Sequence, residues 1–134
     1  SDPERIQAVA LPQRHRLRGQ RPFDRLHRKG RRFQSSLLLL RVIPAEPALL
    51  PPSERSHAAS PWRLAVAVST KVSKRAVIRN RLRRLLHEHV LRSSPGSSSS
   101  PWLLLSLRPG AAEAESHRLL EECTHLLRQA GLIP

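Results

Sequence analysis

Residues 75–86 read Arg75-Ala-Val-Ile-Arg-Asn-Arg-Leu-Arg-Arg-Leu-Leu86, and this stretch decides how the rest of the chain is interpreted. Its apolar residues recur at the spacing of a helix that packs one face against a core; they are Ile78, Leu82, Leu85 and Leu86. At about 100° per residue, Asn80, Arg83 and Arg84 project away from that face. Guanidinium groups bind phosphate oxygens in pairs and stay charged at any physiological pH. The stretch therefore predicts a helix with a phosphate-binding surface.

Positive charge dominates the composition. The chain has 134 residues and a formal net charge of +14, which indicates a polyanionic partner such as nucleic acid or an anionic membrane. Two blocks, 14–32 and 71–92, hold 17 of the 24 lysines and arginines, and each block contains one acidic residue. A charge that only maintained solubility would be scattered with mixed signs. The two blocks predict two contact zones, or one zone assembled from two parts of the fold.

Several function classes are disfavoured by what the sequence lacks. No apolar run approaches the ~20 residues of a spanning helix, and no signal-peptide pattern opens the chain, so we expect no membrane partner. Cys123 is the single cysteine, which suits a reducing compartment, and we expect a cytoplasmic protein. His87 and His89 do not face each other on a helix, so no protein metal site is expected. Only Asp24 and Glu88 lie within the basic blocks, which predicts a binder rather than a catalyst.

Periodicity and turn residues predict an α+β two-layer sandwich, in which three helices pack against a four-stranded mixed sheet in the order αβββαβα. The predicted helices cover 21–29, 74–91 and 111–130, and the predicted strands lie at Phe33, 37–43, 62–69 and 102–107. In strand 62–69 the alternation directs Leu64 and Val66 to the core and Arg63 to the other side. Residues 1–13 are predicted to be a flexible tail and 14–134 a single domain, with a long proline-rich loop at 44–61 and a serine-rich loop at 92–100.

The arginine motif and the order of elements together resemble the protein subunit of bacterial ribonuclease P. The matching segments run in the family's order; they are Leu11–Arg18, Phe23–Phe33, Val66–Leu86 and Trp102–Pro109. The tripeptide Arg79-Asn80-Arg81 alone is a weak signal. It becomes specific because a strand ending at Ser69 precedes it and Leu-Arg-Arg-Leu-Leu follows it.

The resemblance implies a role in removing the 5′ leader from precursor tRNA by hydrolysis of one phosphodiester bond. In the bacterial enzyme the active site and its Mg²⁺ belong to the RNA subunit, so the activity is that of the holoenzyme. We therefore expect no catalytic residue and no cofactor in the protein alone. The implied partners are the ribonuclease P RNA subunit and precursor tRNA, with no obligate protein partner. The family fold also implies a left-handed βαβ crossover, against the usual right-handed rule.

The resemblance assigns three sets of site residues. The set expected to contact the RNA subunit is Lys71, Lys74, Arg75, Arg79, Asn80, Arg81, Arg83 and Arg84. The set expected to line a leader cleft between the first helix and the sheet is Phe23, His27, Phe33, Arg41 and Arg63. The set expected to add phosphate contacts beside that cleft is Arg14, Arg16 and Arg18.

The expected cleft departs from the family in its aromatic residues. Phe23 keeps one ring, which could stack a base for about 1–3 kcal/mol. His27 stands where a second ring is expected, and Arg41 stands where a tyrosine can be found. These departures weaken the stacking part of the cleft more than the contacts to the RNA subunit.

Two other classes stay open at this point. A non-enzymatic RNA-binding protein, such as a ribosomal protein, would carry the same charge without a role in cleavage. A DNA-binding module could place the arginine helix in a major groove, although no helix-turn-helix or dimer seam accompanies that helix. The alternative without a function for the helix itself is a charged face that contacts only solvent. Opposite charges at i,i+4 would support that alternative, and they are almost absent.

Overall fold

A computed structural model of the chain describes residues 11–57, 60–96 and 100–134. The strands are β1 (Arg31–Gln34), β2 (Leu38–Ile43), β3 (Arg63–Ala67) and β4 (Trp102–Leu107). The helices are α1 (Gln20–Lys29), α2 (Ala76–Ser93) and α3 (Ser116–Gln129). The prediction of three helices and a four-stranded mixed sheet in the order αβββαβα is confirmed. Within the described ranges, the helices lack the length and apolar character that a bilayer crossing demands.

The sheet is built around β4, which lies between β2 and β3 in the spatial order β1-β2-β4-β3. β1 pairs with β2, and β2 with β4, in antiparallel ladders, whereas β3 and β4 run parallel. The chain therefore needs a crossover between β3 and β4, and α2 supplies it. This crossover is the βαβ unit to which the family resemblance assigns a left hand.

Alternate residues of each strand point to opposite sheet faces, and each face has its own apolar cluster. On the first face Leu40, Leu105 and Val66 lie side by side in the ladders, and they are buried under α2 and α3. On the second face Leu104 lies beside Ala65, and this cluster is closed by the N-terminal segment, α1 and the proline-rich segment through Leu17, Leu26 and Leu50. Helix α1 therefore covers the opposite face from α2 and α3.

The N-terminal segment is part of the fold from Leu11, which corrects the predicted tail for residues 11–13. Leu11 is buried in the first cluster, and a 3₁₀ turn follows at Gln13–His15. Arg16 then forms a parallel bridge with Leu64, and the Leu17 amide donates to the Leu64 carbonyl at 3.0 Å. This pairing covers part of the free edge of β3. The remainder of the predicted tail, 1–10, lies outside the described residues.

The proline-rich segment is more ordered than the predicted loop. It forms 3₁₀ turns at Pro47–Leu49 and Pro52–His57, and it buries Leu50 and Glu54. Because Leu50 and Glu54 pack inward, this segment covers part of the second sheet face. The predicted serine-rich loop also begins later than expected, because α2 continues to Ser93 and ends at Ser94 in a left-handed conformation with φ of 46°. Residues 97–99 of that loop lie outside the described residues.

Candidate nucleic-acid interface

Helix α2 is held to the sheet by a narrow apolar stripe. Leu82, Leu86 and Val90 are buried, and Ile78 and Leu85 pack against them while half-buried. The rest of the circumference is polar or exposed, since long side chains on the opposite face of such a helix have no core to enter. The predicted anchoring of the arginine helix is confirmed.

The cationic side chains of α2 lie on two flanks. Along the outer flank, Asn80, Arg81 and Arg84 line an open groove of 480 Å³. Along the inner flank, Arg83 and His87 line a different cavity, which faces the N-terminal segment. The three residues predicted to project away from the apolar face are therefore divided between the two flanks. Arg83 lies about 100° from Arg84 around the helix, and that rotation carries it onto the N-terminal side.

Internal hydrogen bonds hold some of these groups in place. Arg79 is half-buried and donates from Nη1 to the carbonyl of Ser73 at 3.0 Å, which orients it at the start of the helix. Arg83 donates from Nη2 to the side-chain oxygen of Asn80. Both contacts use neutral acceptors, so each guanidinium keeps its full charge and free N–H groups for an external anion.

None of the eight residues assigned to the RNA subunit pairs with a carboxylate in the described part of the chain. The ion pairs found there are Arg25–Glu46, Arg92–Glu88, His117–Glu115 and Arg118–Glu122. Lys71, Lys74 and Arg75 are exposed ahead of the helix. The surface formed by these three residues and the cationic residues of α2, hereafter the α2 surface, consequently repels itself unless an anion approaches.

The two basic blocks meet beside β3. Because the N-terminal segment pairs with the β3 edge, Arg16 and Arg18 line the inner cavity of 280 Å³ together with Arg83 and His87. Arg16 is fixed by a 2.6 Å hydrogen bond from Nε to the carbonyl of Leu11, whereas Arg18 is exposed. The sequence left open whether there are two zones or one assembled zone, and the structure shows that the blocks adjoin.

His87 lines the inner cavity and was not among the residues predicted for the site. Its Nδ1 is buried and has no hydrogen-bond partner among the described residues. Burial, together with repulsion from Arg83 and Arg16, lowers the pKa of His87 from 6.5 to about 4. The ring is therefore neutral at pH 7. The sequence could have indicated this position, because His87 follows Arg83 by four residues and so lies on the same flank of the helix.

A cleft lies on the second sheet face beside α1. Phe23 and His27 form one wall, and Ala67, Leu104 and Ser106 belong to the other side of a 220 Å³ cavity. Phe23 is half-buried against the second apolar cluster, while His27 is exposed. The structure thus brings together two of the residues predicted for the cleft.

Arg41 lies on the same sheet face as this cleft. In the ladder it is the direct neighbour of Leu104, which lines the cavity. Its side chain is half-buried, and its Nε is buried without a hydrogen-bond partner in the described ranges. We therefore keep Arg41 among the candidate cleft residues.

The assignment of Phe33 to the cleft is corrected by the strand register. Phe33 pairs with Leu40, which points to the first face, and the Phe33 ring packs against the first apolar cluster. The guanidinium of Arg31 lies 5.3 Å from the centre of that ring. Phe33 and Phe23 are therefore on opposite faces of the sheet, a relation that depends on the register and not on sequence spacing.

The assignment of Arg63 is corrected by its burial. Arg63 is 1% exposed, and its guanidinium donates to the carbonyls of Arg16 at 2.7 Å and Glu54 at 3.4 Å. Burial lowers its pKa, and the charge of Glu54 opposes that shift. Arg63 joins the N-terminal and proline-rich segments to the sheet. A side chain enclosed in this way does not line an open cleft.

His15 is likewise internal. It is buried, its ring stacks on Trp62 with centres 3.9 Å apart, and its Nδ1 lies 3.0 Å from the carbonyl of Trp62. Burial is the main cause that lowers its pKa. Its neighbour Arg14 is exposed and remains a candidate phosphate contact.

Comparison with known proteins shows the family to which the chain belongs. The sequence profile of the family described as Ribonuclease P matches residues 11–131. The chain belongs to the ribonuclease P protein family. It is 54% identical over 126 residues to the ribonuclease P protein component of Parasynechococcus marenigrum strain WH8102, covering 92% of this chain and 98% of that protein. It is 50% identical over 128 residues to that of Prochlorococcus marinus strain MIT 9313, covering 93% and 99%.

Solved structures of ribonuclease P proteins share the fold. The Staphylococcus aureus protein superposes with a TM-score of 0.70 at 19% identity, covering 90% of this chain and 98% of that one. The Thermotoga maritima protein gives 0.66 at 20% identity, covering 85% and 96%. The helices and the mixed sheet are thus those of ribonuclease P proteins, whose component name marks them as parts of a tRNA-processing ribonucleoprotein.

The buried His87 ring predicts a pH dependence of stability. Between pH 6.5 and 4 the unfolded chain binds a proton at the His87 ring, whereas the folded protein does not. The contribution of His87 to the free energy of unfolding is therefore complete above pH 6.5 and is lost as the pH falls. We expect the free energy of unfolding in urea to fall between pH 7 and pH 5, and to fall less in His87→Gln. His117→Gln, which changes an exposed ring, should behave as wild type. If the free energy of unfolding changed with pH in the same way for wild type and His87→Gln, the lowered pKa of His87 would be contradicted.

Proposed function

We propose that this chain is the protein subunit of ribonuclease P, and that it binds the catalytic RNA and the 5′ leader of precursor tRNA simultaneously. The observation that carries the proposal is the placement of a cationic surface and a separate cleft on different sides of one sheet. The α2 surface lies over the first face, and the cleft beside α1 lies on the second. A protein with this arrangement can touch two RNA strands that run along opposite sides of it.

The α2 surface suits a large folded RNA. Arg81 and Arg84 are exposed and unpaired with carboxylates in the described ranges, and Arg16 and Arg18 extend the charge toward β3. Each cation placed on a phosphate releases condensed counterions, which favours binding at low salt. Arg16 and Arg79 donate to the backbone carbonyls of Leu11 and Ser73, and these bonds hold the two guanidiniums in one geometry before RNA arrives. We assign this surface to the RNA subunit.

The cleft beside α1 suits a single strand. Phe23 offers one ring face and His27 one exposed imidazole, and both lie on the same side of α1. Bases stack on aromatic rings regardless of sequence, because every base has a π-face. We assign this cleft to the leader of precursor tRNA.

The protein contributes positioning rather than bond cleavage. No carboxylate lines the cleft, and in the described part of the chain no group of three His, Cys, Asp or Glu side chains could hold a metal ion. In this proposal, hydrolysis and its Mg²⁺ belong to the RNA subunit. Holding the leader against the catalytic RNA raises the effective concentration of the reacting groups. We expect this to occur in the cytoplasm, where precursor tRNA is matured.

Reconstitution tests the proposal most broadly. A bacterial ribonuclease P RNA is mixed with precursor tRNA carrying a labelled leader, at a Mg²⁺ concentration too low for the RNA alone. Adding this chain should restore release of the leader. A ribosomal protein of the same charge should not restore it. Failure to restore cleavage across protein and salt titrations would favour the alternative, an RNA-binding protein with no role in cleavage.

The α2 surface should set the salt dependence of RNA-subunit binding. In Arg81→Ala/Arg84→Ala we expect weaker binding in a filter titration, and a log–log salt slope reduced by roughly 0.7–0.9 for each lost phosphate contact. Arg118→Ala/Arg128→Ala removes the same charge from α3 and should change the slope much less. Equal effects of the two double variants would show that only net charge matters.

Phe23 should distinguish precursor from mature tRNA. In Phe23→Ala we expect the holoenzyme to lose about 1–3 kcal/mol of affinity for precursor tRNA, because one stacked base is lost, and to bind mature tRNA as before. Phe33→Ala removes the same ring from the opposite sheet face and should leave the ratio of the two affinities unchanged. A loss of equal size for both tRNAs would remove Phe23 from the leader cleft.

A further inference from the structure

Two arginines face each other across the first two strands. Arg32 of β1 and Arg41 of β2 are direct partners in the antiparallel ladder. Directly opposed residues have Cβ atoms about 4.5–5.5 Å apart, and like charges at such positions destabilise a sheet. Arg41 lies beside Leu104 in the ladder, so Arg41 and its partner Arg32 both point to the second face, the face of the proposed leader cleft.

No carboxylate neutralises this pair within the described part of the chain. Arg32 is exposed and makes no ion pair there, and the Arg41 Nε is buried without a partner. Burial lowers the pKa of Arg41, and the charge of Arg32 lowers it further, with no acidic group acting in the opposite direction. A fold that keeps two close guanidiniums uncompensated stores a repulsion that an external anion would relieve.

The position of Arg41 limits what it can do. A Cβ on Gly30, where α1 ends, would lie 3.2 Å from the Arg41 Cβ, so the backbone at the end of α1 closes over the stem of this side chain. The last turn of α1 adds His27, Arg28 and Lys29, which are cationic or neutral. No ion pair in the described part of the chain involves Arg32 or Arg41, and both lie on the sheet face that carries the cleft.

Aromatic rings are scarce on this face. The chain contains no tyrosine and two phenylalanines, and Phe33 lies on the other face. Phe23 is consequently the one aromatic carbon ring among the residues that line the cleft. Base stacking supplies little selectivity here, whereas paired guanidiniums match the geometry of a phosphodiester.

We propose that Arg32 and Arg41 clamp one phosphodiester of the leader, so that this chain holds the leader through its backbone charge rather than through the identity of its bases. This inference rests on the proposed function, because it assumes that the cleft receives the leader. It adds Arg32 to the site and assigns Arg41 a leader phosphodiester as its ligand. It also predicts that the protein tolerates changes in the bases of the leader.

The test uses the reconstituted holoenzyme and precursor tRNAs that carry a single neutral methylphosphonate, moved stepwise along the leader. We expect one linkage at which neutralisation weakens binding roughly tenfold, since a charge-assisted hydrogen bond is lost. In Arg41→Gln, and separately in Arg32→Gln, neutralising that linkage should have no further effect. Phe23→Ala is the matched control, and it should retain the full response because it removes stacking and not charge.

Two further measurements complete the test. Exchanging leader bases while keeping the phosphates should change wild-type affinity by less than about threefold, well below the effect of the lost charge. The melting temperatures of Arg41→Gln and Arg32→Gln alone should equal or exceed that of wild type, because a repulsion is removed. A lower melting temperature with an unchanged methylphosphonate response would show a structural role and overturn the clamp.

The outcomes separate the clamp from the function on which it rests. A holoenzyme that removes leaders but shows no sensitive linkage, or variants that respond as wild type, overturns the clamp and leaves the proposed function standing. A holoenzyme that removes no leader overturns both.

Discussion

Repulsion among guanidinium groups that have no internal counter-charge is the constraint on which this structure depends. The chain carries a net charge of +14, and four of its ten acidic residues lie after Ala111, in the segment that includes α3. The sheet and its two apolar clusters must therefore hold apart groups that repel one another. Ribonuclease P proteins act beside RNA. A fold whose positive charges have too few internal counter-charges is suited to such a polyanionic partner.

The central strand β4 supports both of the sites that we propose for RNA. Its residues alternate between faces, so Leu105 supports α2 and α3 while Leu104 supports the floor of the cleft. The buried Arg63 complements this division, because it joins the N-terminal and proline-rich segments to the sheet and thereby seals one end of the second face. That seal also aligns Arg16 with α2, which merges the two basic blocks into one surface.

The local sequence pattern predicts the helices and strands. It does not predict the positions of side chains that depend on pairing with distant segments. The α2 stripe and β4 could be predicted because periodicity and flanking turn residues act within a few positions. Arg63 occupies an outward position of an alternating strand, and nothing local indicates that other segments cover that position. Phe33 was misplaced because a face is fixed by register, which only the partner strand determines. The role of Leu11 as a core residue depends likewise on a distant strand edge.

Site-specific photo-crosslinking tests the central claim, two RNAs on two sides of one protein, most directly. His27→Cys and Arg84→Cys carry a photoreactive group in the complex of protein, RNA subunit and precursor tRNA. The native Cys123 is 1% exposed and burial raises the pKa of its thiol to about 12, so it should not react. The account predicts that position 27 crosslinks the leader and position 84 crosslinks the RNA subunit. Crosslinks from both positions to the same RNA would contradict it.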